Sequence, residues 1–204
     1  EYTLVSVADY VLSRAKADGV KNLVTVSNLS SSRALRDVTE SYGGTYFASA
    51  VGEVNATTLM HEKGAIIGGE GNGGVIYPAI HSGRDAMVGV ALFLSNLAHK
   101  KMTVSELKKT YPEYHIAKNK IELSDKGLID KILSELKVIY AHENVNDIDG
   151  VKISFEDKRE WVHLRKSNTE PIIRIYSEAP TEEEAVKLGE KVIAVAEKII
   201  SSAK

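Results

Sequence analysis

The densest chemical signal in the sequence is a glycine-rich loop at residues 68–74, which reads GGEGNGG. Glycine lets backbone amides and carbonyls approach a ligand closely and tolerates positive φ. Glu70 and Asn72 are then the side chains expected to protrude. A carboxylate accepts hydrogen bonds, and an amide both donates and accepts them, so the pair suits the vicinal hydroxyls of a sugar or other polyol. A flexible surface loop with a solvated Glu70 is the alternative.

The same loop also contains the pattern G-x-G-x-x-G, formed by Gly69, Gly71 and Gly74. A dinucleotide site needs a helix that opens directly on the loop and an acidic residue about 20 positions further on. Residues 75–78 instead continue as a predicted strand, Pro78 opposes an early helical turn, and no acidic residue follows at that distance. A generic nucleotide-binding enzyme is therefore the least favoured interpretation.

A second signal is the turn at residues 165–171, which reads RKSNTEP and joins two predicted strands. Its hydroxyl, amide and guanidinium groups, together with the turn amides, can all point at one anion, and a phosphate monoester is the natural guest. The candidate ligands are Arg165, Ser167, Asn168 and Thr169. Arg174 lies in the next predicted strand, from which its side chain could reach the same anion. An ordinary turn is the alternative, because Ser, Asn and Thr all favour turns.

Composition excludes several classes of protein. The chain has 204 residues, 26 basic and 28 acidic side chains, and a hydrophobic content of 43%. This balance predicts no nucleic-acid partner and no membrane partner, and no apolar run approaches the ~18–20 residues that span a bilayer. The absence of cysteine excludes zinc knuckles, iron–sulfur clusters and thiol catalysis, and it fits a cytoplasmic protein. No histidine pair has H-E-x-x-H spacing, so we predict no metal ligand in this chain.

The elements that must position the glycine loop alternate between helix and strand. Helical spacing covers residues 3–18, 31–42 and 54–63, and a further helix is expected from an N-cap at Ser82 to about residue 98. Short apolar strands are predicted at residues 22–27, 45–47 and 65–68. This alternation predicts an α/β domain with a mixed, mainly parallel sheet over residues 1–112.

The elements around the second loop follow a different order. Strands are predicted at residues 115–123, 151–155, 161–164 and 172–176, and a helix at 128–136. The last helix is predicted to begin at Thr181, with Glu184 completing a capping box. Residues 113–204 are therefore predicted to form a small α+β domain with an antiparallel sheet and flanking helices.

The two loops, in this order and roughly a hundred residues apart, resemble the α-D-phosphohexomutase superfamily. That superfamily includes phosphoglucomutase, phosphomannomutase and phosphoglucosamine mutase. Residues 69–74 resemble the sugar-binding loop of its third domain, and residues 165–171 match the R-x-S-N-T-E-P phosphate loop of its fourth domain at full length. Residues 27–35, 51–53 and 83–85 also fall where the third domain has similar stretches. The resemblance implies the C-terminal half of such an enzyme, domains 3 and 4.

The resemblance also implies roles for individual residues. Glu70 stands at the carboxylate that binds sugar hydroxyls, with Asn72 where many members have Ser and Gly74 where many have His. These departures leave the sugar open, although the glycine-rich form is most similar to the phosphoglucosamine-mutase branch. Gly52 and Glu53 stand where members often carry Gly-His near the substrate. The phosphate-binding residues are matched by Arg165, Ser167, Asn168 and Thr169.

Two loops of the superfamily do not occur in this sequence. They are the T/S-A-S-H-N-P loop, which carries a phosphorylated serine, and the D-G-D-x-D-R loop, which binds Mg²⁺. Residues 147–150, which read DIDG, are interpreted as a turn. The resemblance implies that the full-length enzyme is an intramolecular phosphotransferase. It would interconvert hexose 1-phosphate and hexose 6-phosphate through a hexose 1,6-bisphosphate, with Mg²⁺ held outside this chain.

The expected role of this chain is thus substrate recognition, without turnover by the fragment alone and without a catalytic residue of its own. The partners that the resemblance implies are a phosphosugar and the N-terminal domains 1 and 2 of the same polypeptide. A start at Glu1 fits either a processed protein or a piece of a longer one. A complete, non-catalytic sugar-phosphate-binding module is the alternative, and the reading frame upstream of Glu1 distinguishes the two.

Overall fold

The structure is a computed structural model that describes residues 1–123, 127–167 and 170–202. It divides into two compact units, Glu1–Glu113 and Tyr114–Lys204, and each unit contains a sheet of its own. The sequence placed the boundary after residue 112. Among the described residues, no helix is both long enough and apolar enough to cross a bilayer.

The first unit alternates helices and strands in the predicted order. Its helices are α1 (Tyr2–Ala17), α2 (Ala34–Ser41), α3 (Glu53–Lys63), α4 (Ala86–Lys100) and α5 (Val104–Lys109). Its strands are β1 (Val24–Asn28), β2 (Thr45–Ser49), β3 (Ile67–Glu70) and β4 (Gly74–Ile76). Helix α5 was not predicted from the sequence.

The sheet of the first unit has the strand order β2-β1-β3-β4. Strand β1 pairs in parallel with both β2 and β3, and β3 pairs with β4 as an antiparallel hairpin. Parallel strands need crossover connections, and helices α2 and α3 supply them here. The mixed, mainly parallel sheet predicted from the sequence is confirmed, and the glycine-rich loop is the tip of its one antiparallel hairpin among the described residues.

The start of α4 differs from the prediction. Ser82 does not cap the helix; Asp85 does, and its carboxylate accepts a hydrogen bond from the backbone N–H of Val88 at 2.9 Å. Aspartate and serine are both good N-caps, and an Asp three residues before Val88 satisfies one of the unpaired amides of the first turn. The helix therefore begins after the segment that contains Arg84.

The second unit is an antiparallel sheet with flanking helices. Its strands are β5 (His115–Glu122), β6 (Asn144–Asn146), β7 (Val151–Phe155), β8 (Glu160–Lys166) and β9 (Ile172–Ala179). Its helices are α6 (Gly127–Ile139) and α7 (Glu182–Ser202), with a 3₁₀ turn at Glu156–Lys158. Thr181 caps α7 as predicted, because its hydroxyl accepts from the Glu184 N–H at 3.2 Å. Strand β6 and the 3₁₀ turn were not predicted.

The five strands follow the order β5-β9-β8-β7-β6, and every pair of neighbours is antiparallel. One face of this sheet packs against α6 and α7 in a hydrophobic cluster. That cluster includes Ile132, Leu136, Ile153, Ile175 and Val192, all with no exposed surface. We call the opposite face the outer face. The predicted α+β class of this unit is confirmed.

Candidate functional site

The carboxylate of Glu70 turns inward at the end of β3. The residue is only 6% exposed, and its Oε1 accepts hydrogen bonds from Asn28 Nδ2 at 2.8 Å and from the Gly52 N–H at 3.2 Å. Asn28 ends β1 and Gly52 follows β2, so three parallel strands bring these groups to one edge of the sheet. The expectation that Glu70 protrudes is wrong, and so is the alternative of a solvated loop residue.

A second carboxylate lies at the same edge. Glu53, the first residue of α3, accepts two hydrogen bonds from Arg84, from the backbone N–H and from Nε, both at 2.8 Å. The Arg84 N–H and then its guanidinium hold the pKa of Glu53 below its usual range. Arg84 Nη1 also lies 3.7 Å from Oε2 of Glu70. One guanidinium therefore links the two carboxylates that the sequence had singled out.

The tip of the hairpin is a tight turn in which Gly73 has a positive φ of +100°. The Gly73 N–H donates to the Glu70 carbonyl at 3.1 Å, and the Gly74 N–H donates to Asn72 Oδ1 at 3.1 Å. Gly69 has φ +145°, and a Cβ there would lie 1.9 Å from the Gly74 carbonyl oxygen. Asn72 is exposed, with its amide oxygen used by the backbone, so its NH₂ group is the part suited to a ligand.

This edge of the first sheet is rich in hydrogen-bond acceptors. Glu70 and Glu53 supply carboxylate oxygens, and the guanidinium of Arg84 partly neutralises the two negative charges. Neutral hydroxyl groups are the partners that carboxylates bind without charge repulsion, and a phosphate would be repelled. The arrangement therefore favours an uncharged polyol over an anion.

The second candidate site lies at the end of the β8–β9 pair where the turn connects the two strands. Arg165 and Arg174 are directly opposite each other across the two strands, on the outer face. Like charges in such a pair destabilise the sheet unless an anion lies close to them. Arg174 Nη2 lies 3.5 Å from Glu170 Oε2, whereas the buried Nε of Arg165 has no hydrogen-bond partner in the described part of the chain. The pair is suited to binding a phosphate or another anion.

The turn between these strands is only partly described. Ser167 is buried, and its N–H donates to the Ile172 carbonyl at 3.0 Å, which keeps the two strands paired up to the turn. Asn168 and Thr169, the other predicted phosphate ligands, lie outside the described residues. The structure thus brings Arg165, Ser167 and Arg174 to one end of the sheet.

Comparison with known proteins gives the family. The model of the phosphoglucomutase/phosphomannomutase α/β/α domain III matches residues 1–114, and that of the C-terminal domain of the same family matches residues 119–195. The chain belongs to the phosphoglucomutase/phosphomannomutase family. This confirms the resemblance to the C-terminal half of the α-D-phosphohexomutases that the two loops indicated.

Two curated phosphohexomutases illustrate the relationship. The chain is 35% identical over 196 residues to the phosphoglucomutase/phosphomannomutase of Thermococcus kodakarensis, covering 94% of this chain and 41% of that protein. It is 33% identical over 181 residues to the phosphoglucosamine/phosphogalactosamine mutase of Sulfurisphaera tokodaii, covering 88% and 39%. The chain therefore spans about two fifths of the length of these relatives.

Solved phosphohexomutase structures share the fold. A phosphoglucomutase/phosphomannomutase family protein of Burkholderia thailandensis superposes with a TM-score of 0.74 at 22% identity, covering 96% of this chain and 41% of that one. The N-acetylphosphoglucosamine mutase of Aspergillus fumigatus, solved with GlcNAc-6P and magnesium, gives 0.72 at 15% identity, covering 97% and 43%. At these identities the likeness shows the fold alone.

The magnesium ion of phosphohexomutases does not fit the residues that this chain presents. Across the described ranges, no group of three or more His, Asp or Glu side chains is arranged to hold a metal ion. At the first site the positively charged guanidinium of Arg84 lies against both Glu53 and Glu70, so a metal cation there would be repelled by it. We therefore assign no chemical step in this chain to the metal.

Asn28 and Arg84 are the two residues of the first site to which the sequence assigned no role. Both fell within stretches that resembled the phosphohexomutase third domain, at residues 27–35 and 83–85. A usable signal existed for Asn28, because it ends a buried strand that lies parallel to the strand ended by Glu70. Arg84 carries no comparable signal, since its partner Glu53 is 31 positions away in the sequence.

Proposed function

We propose that this chain is the substrate-recognition half of a phosphohexomutase. The full-length enzyme would interconvert hexose 1-phosphate and hexose 6-phosphate through a hexose 1,6-bisphosphate. Its partners would be the phosphosugar and the N-terminal domains 1 and 2 of the same polypeptide, in the cytoplasm. The chain alone would bind phosphosugars without turnover, because its sequence contains neither the phosphoserine loop nor the Asp-rich metal loop.

The observation that carries the proposal is the arginine pair of the second unit. Arg165 and Arg174 lie opposite each other on neighbouring strands, and the buried Arg165 Nε has no partner among the described residues. A buried donor without a partner costs free energy that a bound phosphate oxygen would recover. Ser167, Asn168 and Thr169 would add hydroxyl and amide donors from the turn.

Recognition of the sugar is assigned to the first unit. Glu70 and Asn72 would bind ring hydroxyls, and Gly52 and Glu53 would shape the edge around them. The acceptor-rich character of this edge supports a neutral polyol as the ligand. Positioning of this kind provides a large part of the catalysis of phosphoryl transfer, because the reacting groups must be held in line.

The division of roles matches what a phosphomutase reaction demands. Its substrate and product carry the phosphate at opposite ends of the same hexose, so the protein must bind either orientation. A phosphate site would hold the phosphate that is not reacting, and hydroxyl acceptors would hold the ring in both cases. Neither role needs a group in this chain to gain or lose a proton.

Titration with inorganic phosphate and with glucose 1-phosphate, followed by NMR, tests both assignments. Arg165→Ala should raise the Kd for both ligands about 10- to 100-fold, because a charge-assisted hydrogen-bonding pair is lost. Glu70→Gln should raise only the Kd for glucose 1-phosphate, by about 10-fold, because inorganic phosphate has no sugar hydroxyls.

Arg14→Ala and Glu62→Gln are the matched controls, since both residues lie on exposed helix surfaces. Unchanged phosphate affinity in Arg165→Ala would remove Arg165 from the site. A coupled mutase assay with glucose 1-phosphate should detect no turnover by the 204-residue chain, and measurable turnover would contradict a recognition-only role.

A further inference from the structure

A row of three cations crosses the outer face of the second sheet. In the strand register, Lys120 of β5 lies opposite Arg174 of β9, and Arg174 lies opposite Arg165 of β8. Residues opposite each other in antiparallel strands project from the same face with their Cβ atoms about 5 Å apart. The apolar neighbours Ile121, Ile173 and Leu164 alternate with the three cations and belong to the core side. The row therefore continues the arginine pair to the edge strand.

Lys120 lines the same cavity as Glu170 and Pro171, which belong to the turn between β8 and β9. A cavity of about 420 Å³ at the edge of the sheet is lined by Lys120 and Glu122 on one side and by Glu170 and Pro171 of the turn on the other. Lys120 Nζ lies 2.7 Å from Glu122 Oε1, and Arg174 Nη2 lies 3.5 Å from Glu170 Oε2. Two carboxylates thus face three cations, and the row keeps an excess of positive charge.

We propose that Lys120 is a third cation of the phosphate site, a binding residue in addition to Arg165 and Arg174. This inference rests on the proposed function, since it presupposes that Arg165 and Arg174 bind phosphate. A dianionic phosphate on Arg174 takes the place of the Glu170 carboxylate, and the long, flexible Lys120 side chain reaches towards it from the neighbouring strand. Lys120 strengthens the binding of the phosphate group whatever sugar it carries.

An edge strand has a second reason to carry lysine, because charged side chains discourage pairing with another chain. Lys118 separates the two roles. It lies on the same face of the same strand, but its cross-strand partner is Tyr176, whose ring centroid is 5.3 Å from the Lys118 ammonium. Both lysines are exposed, and only Lys120 lies in the row with the two arginines.

The experiment compares Lys120→Gln and Lys118→Gln in the full 204-residue chain, by calorimetric or NMR titration with inorganic phosphate at low ionic strength. Lys120→Gln should raise the Kd about 3- to 10-fold, which corresponds to one charge near a partly solvated dianion. Lys118→Gln should change the Kd less than 2-fold. The effect of Lys120→Gln should shrink as NaCl is added, because salt screens exposed charges.

Each other outcome has a definite meaning. Wild-type affinity in Lys120→Gln overturns the proposal, and so does an equal loss in Lys118→Gln, which would show a general charge effect. If Arg165→Ala weakens binding while Lys120→Gln does not, only the Lys120 proposal fails. If the wild-type chain or Arg165→Ala shows that phosphate does not bind at the arginine pair, the proposed function fails and this inference fails with it.

Discussion

At the scale of single residues, His163 should make the stability of the second unit depend on pH. It is buried on β8, its Nε2–H donates to the Asp149 carbonyl at 2.7 Å, and burial lowers its pKa to about 4. The unfolded chain, with a histidine pKa near 6.5, binds more protons between these values than the folded chain does. We expect the free energy of unfolding to fall by about 3 kcal/mol as pH drops from 6.5 to 4.

Chemical denaturation at a series of pH values measures this slope. His163→Gln should flatten it, whereas His142→Gln should keep it, because His142 is exposed. Asp9 also stabilises the folded chain only while its carboxylate is ionised. Its pKa is lowered from 3.8, so its contribution to the free energy of unfolding disappears in a more acidic range. Glutamates with a lowered pKa, such as Glu53 and Glu106, contribute to the slope only nearer pH 4.5. A slope between pH 6.5 and 5.5 that is unchanged in His163→Gln would therefore exclude His163 as its source.

The chemistry of the candidate site was more predictable than its geometry. Glu70 was identified from the sequence because a carboxylate among glycines is conspicuous, and its neighbours in the fold were not. Its contact with Asn28 joins residues 42 positions apart, and the Glu53–Arg84 pair spans 31. Such contacts depend on which strands are neighbours, and residue types in one loop carry no information about that. Burial of Glu70 follows from the strand order β2-β1-β3-β4.

At the scale of elements, the β3–β4 hairpin depends on the absence of a side chain at Gly69. Its φ is +145°, and a Cβ would lie 1.9 Å from the Gly74 carbonyl oxygen in the facing strand. Gly69→Ala should therefore lower the free energy of unfolding of the first unit by about 2–4 kcal/mol, through backbone strain and steric clash together. Thermal or urea denaturation measures the loss.

Gly43→Ala is the matched control for that substitution. Gly43 also has positive φ, +78°, but nothing lies within 4 Å of the position of its Cβ. Its cost should be limited to about 1 kcal/mol, because only the backbone term remains. Equal losses in the two variants would show that the clash with the Gly74 carbonyl oxygen adds nothing to the destabilisation by Gly69→Ala.

Helix α4 was predicted from the sequence, but the face that it buries could not be. Its residues read AMVGVALFLSNLAHK, so apolar side chains surround the axis and the period does not mark a buried face. In the structure Gly89 and Asn96 are its buried residues, while Met87, Val90 and Leu94 are exposed. Gly89 permits close approach to Val75, and Asn96 donates to the Ser6 carbonyl at 2.9 Å. The existence of the helix was predictable, but its orientation was set by these contacts.

At the scale of the whole molecule, the two units carry different chemistry. The first unit gathers Glu70, Glu53 and Arg84 at one edge of its sheet, and the second holds Arg165 and Arg174 on its outer face. The chain has a net charge of −2, so the anion binding that we propose would depend on a local set of cations and not on a basic surface. The fold classes of both units were predictable because helix and strand periods differ clearly in the sequence.

Phosphate binding should therefore be a property of the second unit by itself. That unit has its own hydrophobic cluster, built from α6, α7 and the strands of its sheet, so we expect residues 114–204 to fold when expressed alone. All the cations assigned to the phosphate, Arg165, Arg174 and Lys120, lie within it. The Kd of this fragment for inorganic phosphate should lie within about 3-fold of that of the 204-residue chain, because no assigned contact is removed.

NMR spectra of the fragment test its folding, and the titration with inorganic phosphate tests its binding. A well-folded fragment that binds phosphate more than 10-fold more weakly would show that the first unit takes part in holding the anion.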